Sequence, residues 1–190
     1  MSGSPSQFKI DAVEGALIAL LNTVMPAAYA LALNPDGVPG PDNTVISPPP
    51  SVKIDVATVN SKDFNAQGQL AIKPPSLRVQ FAEAEFSDLR DNQRLTYESG
   101  LLFDVLCFES SLRSKADERL QIIGLVDVAL NQLAGARLAL SDGTSSMPIT
   151  LKRVSLVIPN DDGPVDQLFA ITILIKGIAQ YNGPNARFGS

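Results

Sequence analysis

The sequence predicts an α+β fold: a mainly antiparallel sheet of about four strands, with two helices packed on one face. Three observations carry the prediction. Two segments repeat apolar residues at steps of three and four, which lines one side of a helix. Four others read as strands, most of them alternating apolar and polar residues as half-buried strands do. The order is helix, insertion, strand, long strand, helix, strand, strand, so the helices supply apolar cover for one sheet face and leave the other wetter.

The first helix spans Gln7 to Met25, with Ile10, Val13, Leu17, Leu20, Leu21 and Val24 on one side. Ser4 and Ser6 are candidate N-caps, and Pro26 is the natural stop. Burying five or six such side chains contributes roughly 1.5–3 kcal/mol each. Ala27 to Leu33 reads either as a second short helix or as an extended segment.

Residues 34–75 form a Pro-rich extended insertion opening with NPDGVPGPDNTVISPPP. Seven of the 14 prolines fall between Pro26 and Pro50, a density that forbids helix. Inside it, VKIDVAT alternates as a short strand, with Val52, Ile54 and Val56 on one side. The insertion is either a loose surface excursion or an arm that orders against a partner.

A sheet-helix core follows over 76–181. Ser76 to Glu83 alternates, with Leu77, Val79 and Phe81 on one face, and FSDLRDNQ reads as a polar turn. Arg94 to Ser110, RLTYESGLLFDVLCFES, is one strand about twice ordinary length. Ser114 opens the second helix with a capping box to Asp117; Leu120, Ile123, Val126, Leu130 and Leu133 form its apolar side, and Gly135 closes it. Ile149 to Ile158 and Gln167 to Ala179 are strands joined through the turn Asn160 to Gly163. The tail, 182–190, has one aromatic hook, Phe188, and is either disordered alone or laid over a neighbour.

A length of 190 residues suits a single domain, and 45% apolar with 18% charged residues describes a globular protein. A formal charge of −5 without clustered Lys and Arg argues against recognition of nucleic acid. One cysteine allows no internal disulfide. No unbroken apolar run approaches the ~18–20 residues that span a bilayer, so no membrane partner is expected. The N-terminal stretch, interrupted by Asp11, Glu14 and Asn22 without a basic start, fails the signal-peptide pattern. A soluble protein assembled in a reducing cytosol is the expectation.

Catalytic chemistry finds little support. A nucleophilic Cys107 needs a base or cation to hold its thiolate, and the chain has no histidine. Core packing is the better reading for that thiol. No metal-ligand spacing, phosphate-binding glycine loop or dinucleotide fingerprint is present, so neither enzyme activity nor a cofactor is expected. Asp161-Asp162-Gly163 is ordinary turn chemistry. Asp104 shares a strand face with Leu102 and Leu106. It is either paired with Arg78, Lys152 or Arg153, or solvated on a half-exposed face or subunit contact. Gly100 would let the long strand bulge or bend, so that each half serves a different sheet or neighbour.

The runs LRVQFAEAEF, LTYESGLLFDVLCFESSLRS, ADERLQIIGLVDVALNQL, ITLKRVSLVI and QLFAITILIKG, together with the opening helix KIDAVEGALIALLNTVMP, resemble the tail-terminator proteins of contractile-tailed phages. The group in view is the Mu-type neck proteins. The resemblance covers Phe8 to Met25 and about Ser76 to Tyr181. It lies in strand lengths, helix placement, the S-L-R-S after the long strand and the aromatic Phe169. It implies a hexameric ring in the virion, at the head-proximal end of the tail. There the ring ends polymerisation and contacts the tail tube, the sheath and the head-side neck. The insertion 34–75 departs from that pattern. Gly100, Asp104, Arg78 and Phe188 are the candidate interface residues. Other roles left open are a tube, baseplate or head-completion adaptor, and a small ligand-binding domain or hydrolase.

Overall fold

The computed structural model describes residues 8–34, 38–39, 46–47, 51–63, 73, 75–89, 95–109, 115–141, 143–157 and 167–181. Helix α1 (Ile10–Leu33) buries Val13, Leu17, Leu21, Met25 and Tyr29 at successive steps of four. That spacing keeps one row of side chains on the core along the helix. Ile10 is exposed, and Leu20 and Val24 are half-buried flanks of the row. Pro26 does not end the helix, correcting the expected stop. Met25, Tyr29 and Ala30 are buried on either side of it, and its carbonyl accepts the Val52 N–H at 3.1 Å. Packing therefore outweighs a helix defect of ~3 kcal/mol.

By length and composition α1 could also cross a membrane, with a mean hydropathy of 1.8 over its best window. This corrects the reading from unbroken apolar runs: the helix continues past Pro26 to Leu33, which lengthens the apolar segment, and Asn22 does not lower its average enough. In this fold the Val13-to-Tyr29 row belongs to the core.

Within the insertion, β1 (Val38–Pro39) pairs antiparallel with β2 (Ile46–Ser47). Then β3 (Asp55–Thr58) joins the main sheet, followed by a 3-10 turn, Ser61–Asp63. The long elements are β4 (Ser76–Leu89), β5 (Leu95–Glu109), helix α2 (Lys115–Leu133), β6 (Thr150–Val157) and β7 (Gln167–Tyr181). The sheet has five strands ordered β3-β4-β5-β7-β6, one more than expected. β3 runs parallel to β4, and the other pairs are antiparallel. Ile54 and Val56 drive this addition by burying beside the core face.

β4 continues through Phe86-Ser87-Asp88-Leu89, which had read as turn. Opposite a paired β5, these residues gain ladder hydrogen bonds that single-strand alternation cannot forecast. A bulge between Phe81 and Glu83 shifts the alternation halfway along β4.

Both helices cover the face carrying Leu77, Val79, Leu101, Phe103, Val105, Cys107, Ile171, Ile173 and Ile175. The buried side of α2 is Ile122, Leu125, Val126, Ala129 and Leu133. The expected Ile123 is exposed and Leu130 half-buried. LQIIGLVDVALNQL is apolar around more than half its circumference, so contact with α1, β5 and β7 chooses the stripe. Gly135 ends the helix at φ 72°, the left-handed conformation glycine adopts without strain. Ser114, the Asn160–Gly163 turn and Phe188 lie outside the described residues.

Candidate functional site

β4, β5 and β7 are 14, 15 and 15 residues long, against a usual ~5–6. Their register is continuous from Glu109 opposite Gln167 to Leu95 opposite Tyr181. The helical cover ends near Phe8, whose ring lies on Gly177; a Cβ there would overlap it. Past this point the three strands run on as an overhang, where Phe86 and Ile178 are half exposed.

Gly100 sits where the overhang begins, on the face away from the helices. It is buried, and Leu174 Cδ1 lies 3.2 Å from the position a Cβ would take. Gly100 thus admits Leu174 across the strand. The register shows no bulge at it; the irregularities of the sheet are at residues 82 and 152.

On the same face, Asp104 Oδ1 accepts a 2.6 Å hydrogen bond from Thr172 Oγ1, and Arg153 Nε donates to that hydroxyl at 3.3 Å. Arg153, one of the anticipated partners, therefore reaches Asp104 through Thr172. Asp104 is half-buried between half-buried Leu102 and Leu106. Thr172 was invisible to sequence reasoning because only the β5–β7 register sets it opposite Asp104.

Arg78 does not meet Asp104. It is buried and binds backward: Nη2 contacts Asp55 Oδ2 at 2.5 Å, Nη1 donates to Asp55 O at 3.0 Å, and Nε lies 3.2 Å from Asp63 Oδ1. A buried guanidinium needs such compensation. Asp63, itself buried, also accepts the Asn60 N–H at 2.8 Å. The insertion's only acidic residues after Pro50 are these two, a signal that could have flagged them.

Cys107 is buried in the core, and burial pushes its thiol up to about 12. Its recorded polar contact is a weak one to Val105 O at 3.9 Å. Such a thiol is a packing group, not a poised nucleophile. Among the described residues no cluster of three or more metal-ligating side chains forms.

β6 falls within the strand expected over Ile149 to Ile158, but the exposure of its apolar side chains at a sheet edge was missed. Leu151, Val154, Leu156 and Val157 on this edge strand are all exposed. Leu151, Val154 and Leu156 lie opposite Ile173, Ile171 and Phe169 on the helix-bearing face, yet stay exposed there.

Fold and site together define an α+β protein whose sheet outruns its helical cover at one end and at one edge. No protein-family model matches the chain, and no curated protein does. Among solved structures, a chain in the virion of a native gene transfer agent particle is similar. It has 12% identity and a TM-score of 0.46, over 93% of this chain and 100% of that one.

Proposed function

We propose that this chain is a phage structural protein, a tail terminator. In this reading it forms a hexameric ring that caps the tail tube and sheath and joins the tail to the head-side neck. It works in the virion without a cofactor and without enzyme activity. The observation that carries the reading is the three-stranded overhang of β4, β5 and β7. Among the described residues no further strand lies against the outer edges of this overhang, and a ring of copies can use such edges for strand addition. The resemblance in strand lengths and helix placement supports the tail address. The buried, protonated Cys107 supports a role without a reacting side chain.

The test is loss of the chain during particle assembly. Tails of irregular and often excessive length are expected, with tagged protein at the head-proximal end in electron micrographs. Normal-length tails, or a tag at the baseplate, would overturn the terminator assignment.

A further inference from the structure

The two long outer edges of the five-stranded sheet carry opposite charge. β6 (Thr150–Val157) holds Lys152 and Arg153, both exposed, and no acidic residue. Among the described residues its only strand partner is β7. At the other side, β3 covers β4 only from Ser76 to Val79. From Gln80 to Glu85 the outer side of β4 has no strand against it among the described residues. This stretch holds Glu83 and Glu85, both exposed, and no basic residue.

The apolar side chains match in the same sense. On the helix-bearing face β6 offers Leu151, Val154 and Leu156, while β4 offers Phe81 and Ala84. On the opposite face Arg153 of β6 corresponds to Glu83 and Glu85 of β4.

Charged side chains and bulges normally blunt sheet edges. Here their distribution discriminates between partners. Joining β6 to β6, or β4 to β4, brings like charges together. Joining β6 to β4 brings opposite ones together and apolar rows into line. We infer that the outer edge of β6 in one copy pairs antiparallel with the outer edge of β4, beyond Val79, in a second copy. The contact is head-to-tail, the kind that closes into a ring or runs on as a filament, and it is not a two-fold dimer contact. Val154 lies level with Val79 across Ile171 and Val105. Joining the edges therefore slides each copy along the strand direction, and the strands tilt against the ring axis, as in any closed sheet.

This inference rests on the ring-forming part of the proposed function and adds which edges meet. Its test is sedimentation velocity on the full chain in three forms: wild type, Glu83→Lys with Glu85→Lys, and Lys152→Glu with Arg153→Glu. Each variant has two like-charged edges, so the concentration for half assembly is expected to rise about ten-fold or more. An equimolar mixture of the two variants regains opposite edges at every contact and is expected to assemble like wild type. Because Arg153 also holds Thr172, Lys152→Glu alone serves as a second basic-edge variant, with unchanged thermal unfolding as its control. Variants that assemble as wild type, or a mixture that fails to recover, overturn the edge assignment while tail length still judges the terminator reading. A wild-type chain that stays monomeric at its highest soluble concentration also overturns it.

Discussion

The phenol of Tyr29 donates a 3.1 Å hydrogen bond to Glu109 Oε2, tying the last third of α1 to the final residue of β5. Both groups are buried. Burial first, then the Glu109 carboxylate, raise the phenol's pKa well above its ordinary value, so it stays a donor. Tyr29→Phe leaves the carboxylate one donor short and is expected to cost ~1–3 kcal/mol in urea unfolding. Glu109→Gln keeps an acceptor and is expected to cost less. A Tyr29→Phe variant as stable as wild type would show that the bond contributes nothing.

Two glycines differ in what faces them. Gly177→Ala drives a methyl into the Phe8 ring, whereas at Gly100 the neighbour is the movable end of Leu174. Gly177→Ala is expected to destabilise by ~1–3 kcal/mol and Gly100→Ala by less. In a Phe8→Ala background the Gly177→Ala cost is expected to fall, since the obstruction is gone. Equal costs in both backgrounds would place the strain elsewhere.

The Arg78 pairs should be unequal. Asp63 is buried with the guanidinium, while the Asp55 side chain is 56% exposed. Removing the buried partner with Asp63→Ala is expected to cost on the order of 3 kcal/mol. Asp55→Ala, in solvent-screened surroundings, is expected to cost below ~1 kcal/mol. Denaturant midpoints at constant slope measure both, and reversal of the order would contradict the burial argument.

Cys107 and Tyr29 set an alkaline limit. Both are harder to ionise folded than unfolded, from ordinary values of 9.0 and 10.0. Their contribution is complete below those values. It declines as pH rises toward the folded pKa, by up to about 1.4 kcal/mol per pH unit for each proton. Stability is expected to fall from pH 9 upward, and Cys107→Ala should flatten the first part of that decline. A thiol reagent at pH 8 is expected to label Cys107 only after denaturant is added; rapid native labelling would show an accessible thiol.

Much of the fold was legible because its signals are local. The alternation of Leu101, Phe103, Val105 and Cys107 marks a strand face whatever it meets, and Gly135 marks a helix end. The same locality explains the misses. Pro26 reads as a stop until Tyr29 and Ala30 are seen in the core, and FSDL reads as a turn until β5 lies opposite. Ile123 and Ile122 are equivalent in the sequence, and only α1 and the sheet choose between them. At the candidate site, Asp104 and Arg153 could be named from the chain, but Thr172 between them could not.

The amino-acid order alone determined the two helices, the long strand β5, the packing role of Cys107 and the want of a catalytic histidine, since each depends on neighbours a few residues apart. Tertiary structure decided that β3 joins the sheet, that Arg78 turns to Asp55 and Asp63, and that β6 lies uncovered at an edge. Those outcomes depend on register and on how far the helix layer reaches, and both are set by contacts between segments dozens of residues apart.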